Sequence, residues 1–108
     1  MSINIREILG GQKVQGSTEE VTYTITYPAS WGVPTSPSVI VYSVNEATGA
    51  LTNVTTTVMP TGSASATLQV VTLPELKSLT AGVLYRVFVT VASGTNVFTA
   101  WADIRAEL

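Results

Sequence analysis

The chain has 108 residues, 45% of them hydrophobic and only 11% charged, with a net charge of −2 and neither cysteine nor histidine. That length suits one two-layer core, and the missing residue types exclude thiolate catalysis, a Ser-His-Asp triad, a disulfide framework and a Cys/His zinc centre. Five scattered basic residues make no footprint for a nucleic-acid backbone, so serine and threonine, about a quarter of the chain, carry the polar surface.

Residues 1–16 read as an N-terminal arm or edge strand, and residues 17–108 as the folded domain. The arm holds the apolar positions Ile3, Ile5, Ile8 and Leu9, a Gly10-Gly11 break, then Lys13-Val14-Gln15. It carries no apolar signal-peptide core, and no stretch approaches the roughly 20 apolar residues that span a bilayer. A chain complete as it stands is therefore expected to be made and folded in the cytosol. Val21, Tyr23, Ile25 and Tyr27 alternate with Thr22, Thr24 and Thr26, the period of a half-buried antiparallel strand. Pro28, Pro34 and Pro37 place a loop over 28–38, with Trp31 near its centre. Val39 to Val44 is apolar on both faces at its start and fits a strand flanked on both sides.

Thr48-Gly49 marks a turn. Two weaker strands follow, Leu51 to Met59 and Ala64 to Leu73, separated at Pro60-Thr61-Gly62. Pro74 to Ser78 holds at most one helical turn. From Leu79 the sequence reads LTAGVLYRVFVTV, where Tyr85, Val87, Val89 and Val91 alternate with Leu84, Arg86, Phe88 and Thr90. A tyrosine placed just after a Leu-x-x-Gly turn can bury its ring and return its hydroxyl to backbone across the corner. Ser93-Gly94-Thr95-Asn96 makes a hairpin turn into a last strand, Val97 to Ala106. About seven strands at this spacing, with no helix, predict an all-β sandwich of two antiparallel sheets.

Leu79, the glycine turn and the Tyr85, Val87, Val89 alternation resemble the corner before the sixth strand of fibronectin type III and related immunoglobulin-like domains. The Val39 to Val44 strand is similar to their third strand. The resemblance covers residues 18–106 and implies an immunoglobulin-like sandwich. It departs from those families in having no cysteine pair, and in placing Tyr23 and Tyr27 where a second-strand tryptophan is usual. A looser pattern runs G-S-x-x-x-V-T-Y from Gly16, T-A-G-x-x-Y-x-V from Thr80 and G-x-x-x-F-T from Gly94. It resembles small structural proteins of tailed bacteriophages, which decorate heads or complete necks and tails. That resemblance implies a virion protein made in the host cytoplasm, self-associating and contacting capsid, portal or tail proteins, with no nucleic-acid or membrane partner.

Each candidate site has a simpler reading beside it. Glu19 and Glu20 are adjacent, so on a strand they point to opposite faces and cannot work as a paired acid and base. Asp103 and Arg105 share a face of the last strand with Glu107, and read as a solvent or subunit contact, since calcium needs six or more convergent oxygens. Asn53-Val54-Thr55 matches a glycosylation sequon. Trp101, in phase with Val97 and Thr99, is expected to pack inside. Trp31 is a lid on one end of the core, or an aromatic that contacts a partner or stacks on a sugar. With Tyr42 it would serve the alternative function, a carbohydrate-binding or adhesion module. If Tyr85, Val87, Val89 and Val91 point inward, Leu84 and Phe88 point outward and Phe98 joins them. With Ile3 and Ile5, these form the candidate interface, set against a cover supplied within the monomer. No catalytic residue, metal ligand or cofactor site is legible, and the chain is expected not to be an enzyme.

Overall fold

A computed structural model describes residues 4–7 and 12–108. The alternating segments form strands: β1 (Asn4–Glu7), β2 (Lys13–Gly16), β3 (Val21–Thr26), β4 (Thr35–Val44), β5 (Leu51–Asn53), β6 (Ser65–Thr67), β7 (Val70–Thr72), β8 (Leu84–Ser93) and β9 (Asn96–Glu107). They make an all-β sandwich of two sheets, ordered β1-β3-β7-β6 and β2-β9-β8-β4-β5. Every pairing is antiparallel except β1 with β3 and β2 with β9. The chain switches sheet at each step from β1 to β4, then between β5 and β6 and between β7 and β8.

The core lies between the sheets. Val21, Tyr23 and Ile25 of β3 and Val71 of β7 meet Val41 of β4, Tyr85, Val87, Val89 and Val91 of β8, and Ala102, Ile104 and Ala106 of β9. Each fully buried valine here contributes about 1.5–3 kcal/mol relative to exposure. The corner between Leu79 and Tyr85 is closed as its sequence suggests: the backbone N–H of Thr80 donates to the Tyr85 hydroxyl at 2.9 Å. Tyr23 and Tyr27 are both core residues.

Three segments depart from the sequence expectation. Leu51 to Met59 is not one strand: β5 ends at Asn53 and a single helical turn, α1 (Thr55–Val58), follows. The Thr55 hydroxyl donates to Asn53 Oδ1 at 2.8 Å, and its oxygen accepts the Val41 N–H at 2.9 Å. A side chain thus replaces the next rung of the ladder. Ala64 to Leu73 splits into a hairpin, because Leu68 takes φ +52° and reverses the chain between Thr67 and Val70. The 28–38 loop is shorter than expected: β4 starts at Thr35 and absorbs Pro37 at a break in register between Thr35 and Ser38. Pro74 to Ser78, where the sequence allows at most one helical turn, forms none: Leu76 makes a single bridge to Val21, and Ser78 takes φ +60°.

Candidate interaction surface

The outer face of the five-stranded sheet is where unspent apolar surface collects. β8 alternates strictly, so its even-numbered residues face out. The two-residue turn at Gly94-Thr95 pairs Ser93 with Asn96, which sets Val91 opposite Phe98, Val87 opposite Ala102 and Phe88 opposite Trp101. On β9, then, Phe98 faces inward and Trp101 outward.

Both placements correct the sequence expectation. Phe98 packs against the core and stacks on Trp31, with ring centroids 4.7 Å apart and planes inclined by 16°. It does not join Phe88. Trp101, expected inside, is 58% exposed. Asp103 and Arg105 share its phase, and pointing all three outward keeps the two charges in water. Leu84 does project from the outer face, yet it is only 8% exposed and adds nothing to an exposed patch. Arg105, opposite Leu84 on β9, makes a two-pronged ion pair with Glu46, in the loop after β4, at 2.7 Å for each nitrogen. This bridge crosses the strand that carries Leu84, so the monomer supplies its own cover there. Ile3 lies outside the described residues, and Ile5 sits in β1 in register with Thr22.

Across the long strands the outer face is banded in rows. The central row is Trp101, Phe88 and Ile40, on β9, β8 and β4. Ile40 is 40% exposed, and Tyr42 meets Phe88 edge-on at 5.6 Å. One side of this row holds Asp103, Arg86 and Tyr42; the other holds Thr99, Thr90 and Ser38. Arg86 Nε donates to Asp103 Oδ1 at 2.8 Å and Nη2 to Oδ2 at 3.2 Å. Its guanidinium carbon also lies 4.9 Å from the Trp101 ring centroid. The hydrogen bond to Asp103 raises the Arg86 pKa above its ordinary value. Likewise the hydrogen bond from Arg105 holds Glu46 below the usual carboxylate value. Arg86 and Arg105 are thereby each paired with a carboxylate.

Trp31 sits over the end of the core that Phe98 and Tyr27 close, 38% exposed, with Tyr27 5.6 Å away. The loop is fixed by Gln69, whose Nε2 donates to the Gly32 carbonyl at 2.8 Å. Tyr27 in turn donates from its hydroxyl to the Val89 carbonyl at 3.1 Å, and burial pushes its pKa up. Elsewhere a cleft of about 300 Å³ lies between β4 and the 59–64 turn, lined by Pro37, Val39, Thr55 and Met59 among others, none of them ionisable. Among the described residues no three acidic side chains converge, and no buried side-chain nitrogen or oxygen lacks a partner. What this molecule presents is an aromatic-centred sheet face. No protein-family model matches the chain, and no curated protein is similar to it in sequence.

Proposed function

We propose that the protein is a non-enzymatic structural subunit of a tailed-phage virion, a capsid decoration or head–neck component, that assembles through the outer face of its five-stranded sheet. The observation that carries this reading is the row Trp101, Phe88 and Ile40, apolar across three adjacent strands and open to solvent at both ends. Exposed groups of large side chains on a monomer are the signature of an interface. The charges flanking the row are internally neutralised, so affinity comes from apolar area and shape. The strand order, the inter-sheet crossings and the Tyr85 corner support the immunoglobulin-like side of the reading, and the phage-like sequence patterns at Gly16, Thr80 and Gly94 support the virion side. A carbohydrate-binding reading that rests on Trp31 is the weaker one, because Phe98 already covers a face of that indole.

The test is to purify particles from the phage that encodes the chain and count its copies. High copy number at fixed symmetric positions supports the proposal. Protein found only as free monomer in the lysate, with none in the particle, overturns it.

A further inference from the structure

We propose that the outer sheet face docks on the same face of a second copy of this chain, about a two-fold axis that runs along the Trp101–Phe88–Ile40 row. This rests on the reading of that face as an assembly surface, and it names the first partner. The banding of the face carries the inference. A two-fold axis perpendicular to the strands leaves the apolar row facing itself: Trp101 on Trp101, Phe88 on Phe88, Ile40 on Ile40. The same rotation lays the row of Asp103, Arg86 and Tyr42 over the second copy's row of Thr99, Thr90 and Ser38. Carboxylate, guanidinium and phenol then meet hydroxyls, which can both donate and accept. An axis along β8 would instead stack Arg86 on Arg86. Of the two symmetric packings that keep the strands aligned, about the row or about β8, the pattern of side chains therefore favours the first, and such a contact closes on itself as an isologous dimer.

The area fits a dimer of modest affinity. From Leu84 to Ala92 the face runs roughly 27 Å, and three to five strands give it a width of roughly 14–24 Å. The footprint is then on the order of 500 Å² per copy, about 1,000 Å² in all, below the roughly 1,200–2,000 Å² of stable interfaces and within the range of weak, transient ones. Dimerisation in the micromolar range is the expectation. Both arginines of the face are already paired, so neither asks for an acidic partner, and the two ion pairs sum to zero charge.

Sedimentation velocity over about 1–200 µM tests the association. Wild type should shift from 11.4 kDa toward twice that mass, and Trp101→Ser should remain monomeric at about tenfold higher concentration. Trp101 is exposed, so the variant stays folded; Ile40→Ser gives a second reading if it does not. The natural absence of cysteine lets a short bis-thiol reagent test the axis. Ile40→Cys should cross-link to itself, and Leu68→Cys, on the other sheet, should not. A monomer at all concentrations overturns the proposal, as does cross-linking of Ile40→Cys only when mixed with Trp101→Cys. A chain that is monomeric in solution but ordered in particles would sink the dimer and spare the virion reading; a dimer absent from particles would do the reverse.

Discussion

The Tyr23 hydroxyl donates to the Gln15 side-chain carbonyl at 3.0 Å inside a region closed to solvent. Gln15 is the buried polar residue of the described chain, and its amide nitrogen serves two carbonyls, Leu76 at 2.8 Å and Glu19 at 3.1 Å. One side chain on β2 thus ties β9's sheet to β3 and to the 74–79 segment of the opposite layer. A buried amide is tolerated only because each of its groups has a partner.

Gln15→Leu removes the amide's bonds to the Leu76 and Glu19 carbonyls and to the Tyr23 hydroxyl, while the Leu76 carbonyl keeps the Val21 N–H. The expected loss is about 2–3 kcal/mol in urea denaturation, and Tyr23→Phe alone should cost about 1–2 kcal/mol. The two losses should add to more than the double variant shows, because the residues share one bond. Strict additivity would mean that the network is not a unit.

Tyr85→Phe deletes the acceptor for the Thr80 N–H and keeps the buried ring. The expected cost is about 1–2 kcal/mol with an unchanged denaturant slope. A cost near zero would show that the corner is held by packing of Leu79 and the ring alone.

How much of this was legible beforehand varies by element for physical reasons. β8 was legible because burial on one face of a sheet writes a period of two into the sequence. The inward phase of β9 was legible in principle: a two-residue turn at Gly94-Thr95 fixes the pairing, and Val91 inward then requires Phe98 inward. Hydrophobicity alone puts Trp101 on the wrong side. Thr55 looks like a strand residue, and only the Val41 N–H, 14 positions away, makes it end one. Leu68 at positive φ carries no turn signal, since leucine is disfavoured there. Gln15 resembled any surface polar residue, because its partner Leu76 lies 61 positions along the chain. The candidate face is half legible: the alternation of β8 turns Phe88 and Leu84 outward, whereas the outward side of Trp101 and the alignment with Ile40 follow only from pairing across strands, and nothing local to Leu84 shows the Arg105–Glu46 pair.

That cover makes an acid-sensitive contribution. Glu46 has its pKa lowered in the folded chain by the Arg105 hydrogen bond. A lowered carboxylate stabilises the fold above its ordinary value, and this contribution fades as pH falls through the lowered one. Glu46→Gln should therefore be less stable than wild type near neutrality, with the gap closing in acid. Glu46 is exposed, so the difference is small. A gap that is constant with pH would mean that the bridge does not act through charge.

Gly32 follows the Trp31 turn at φ +78°, and a Cβ there would press on the Ser93 hydroxyl. Gly32→Ala should cost about 1–3 kcal/mol from backbone strain and the displaced contact. Adding Ser93→Ala to Gly32→Ala removes the hydroxyl that the new Cβ meets and leaves the backbone share. An unchanged loss in the double variant would show that the close approach to Ser93 contributes nothing.

The sharpest test of the β9 phase compares two aromatic residues three positions apart. Phe98 faces the core and stacks on Trp31, so Phe98→Ala opens a gap under the lid and should cost about 2–3 kcal/mol. Trp101 faces solvent, and Trp101→Ala gives up mainly its contact with Arg86, so the isolated monomer should lose no more than about 1 kcal/mol. Measured by urea denaturation at sub-micromolar protein, where dimer does not contribute, the order of the two losses reports which residue lies inside. If Trp101→Ala is the more damaging, β9 runs in the opposite phase and the aromatic row on the outer face does not exist. If Phe98→Ala is the more damaging, the row stands, and its remaining function is outward.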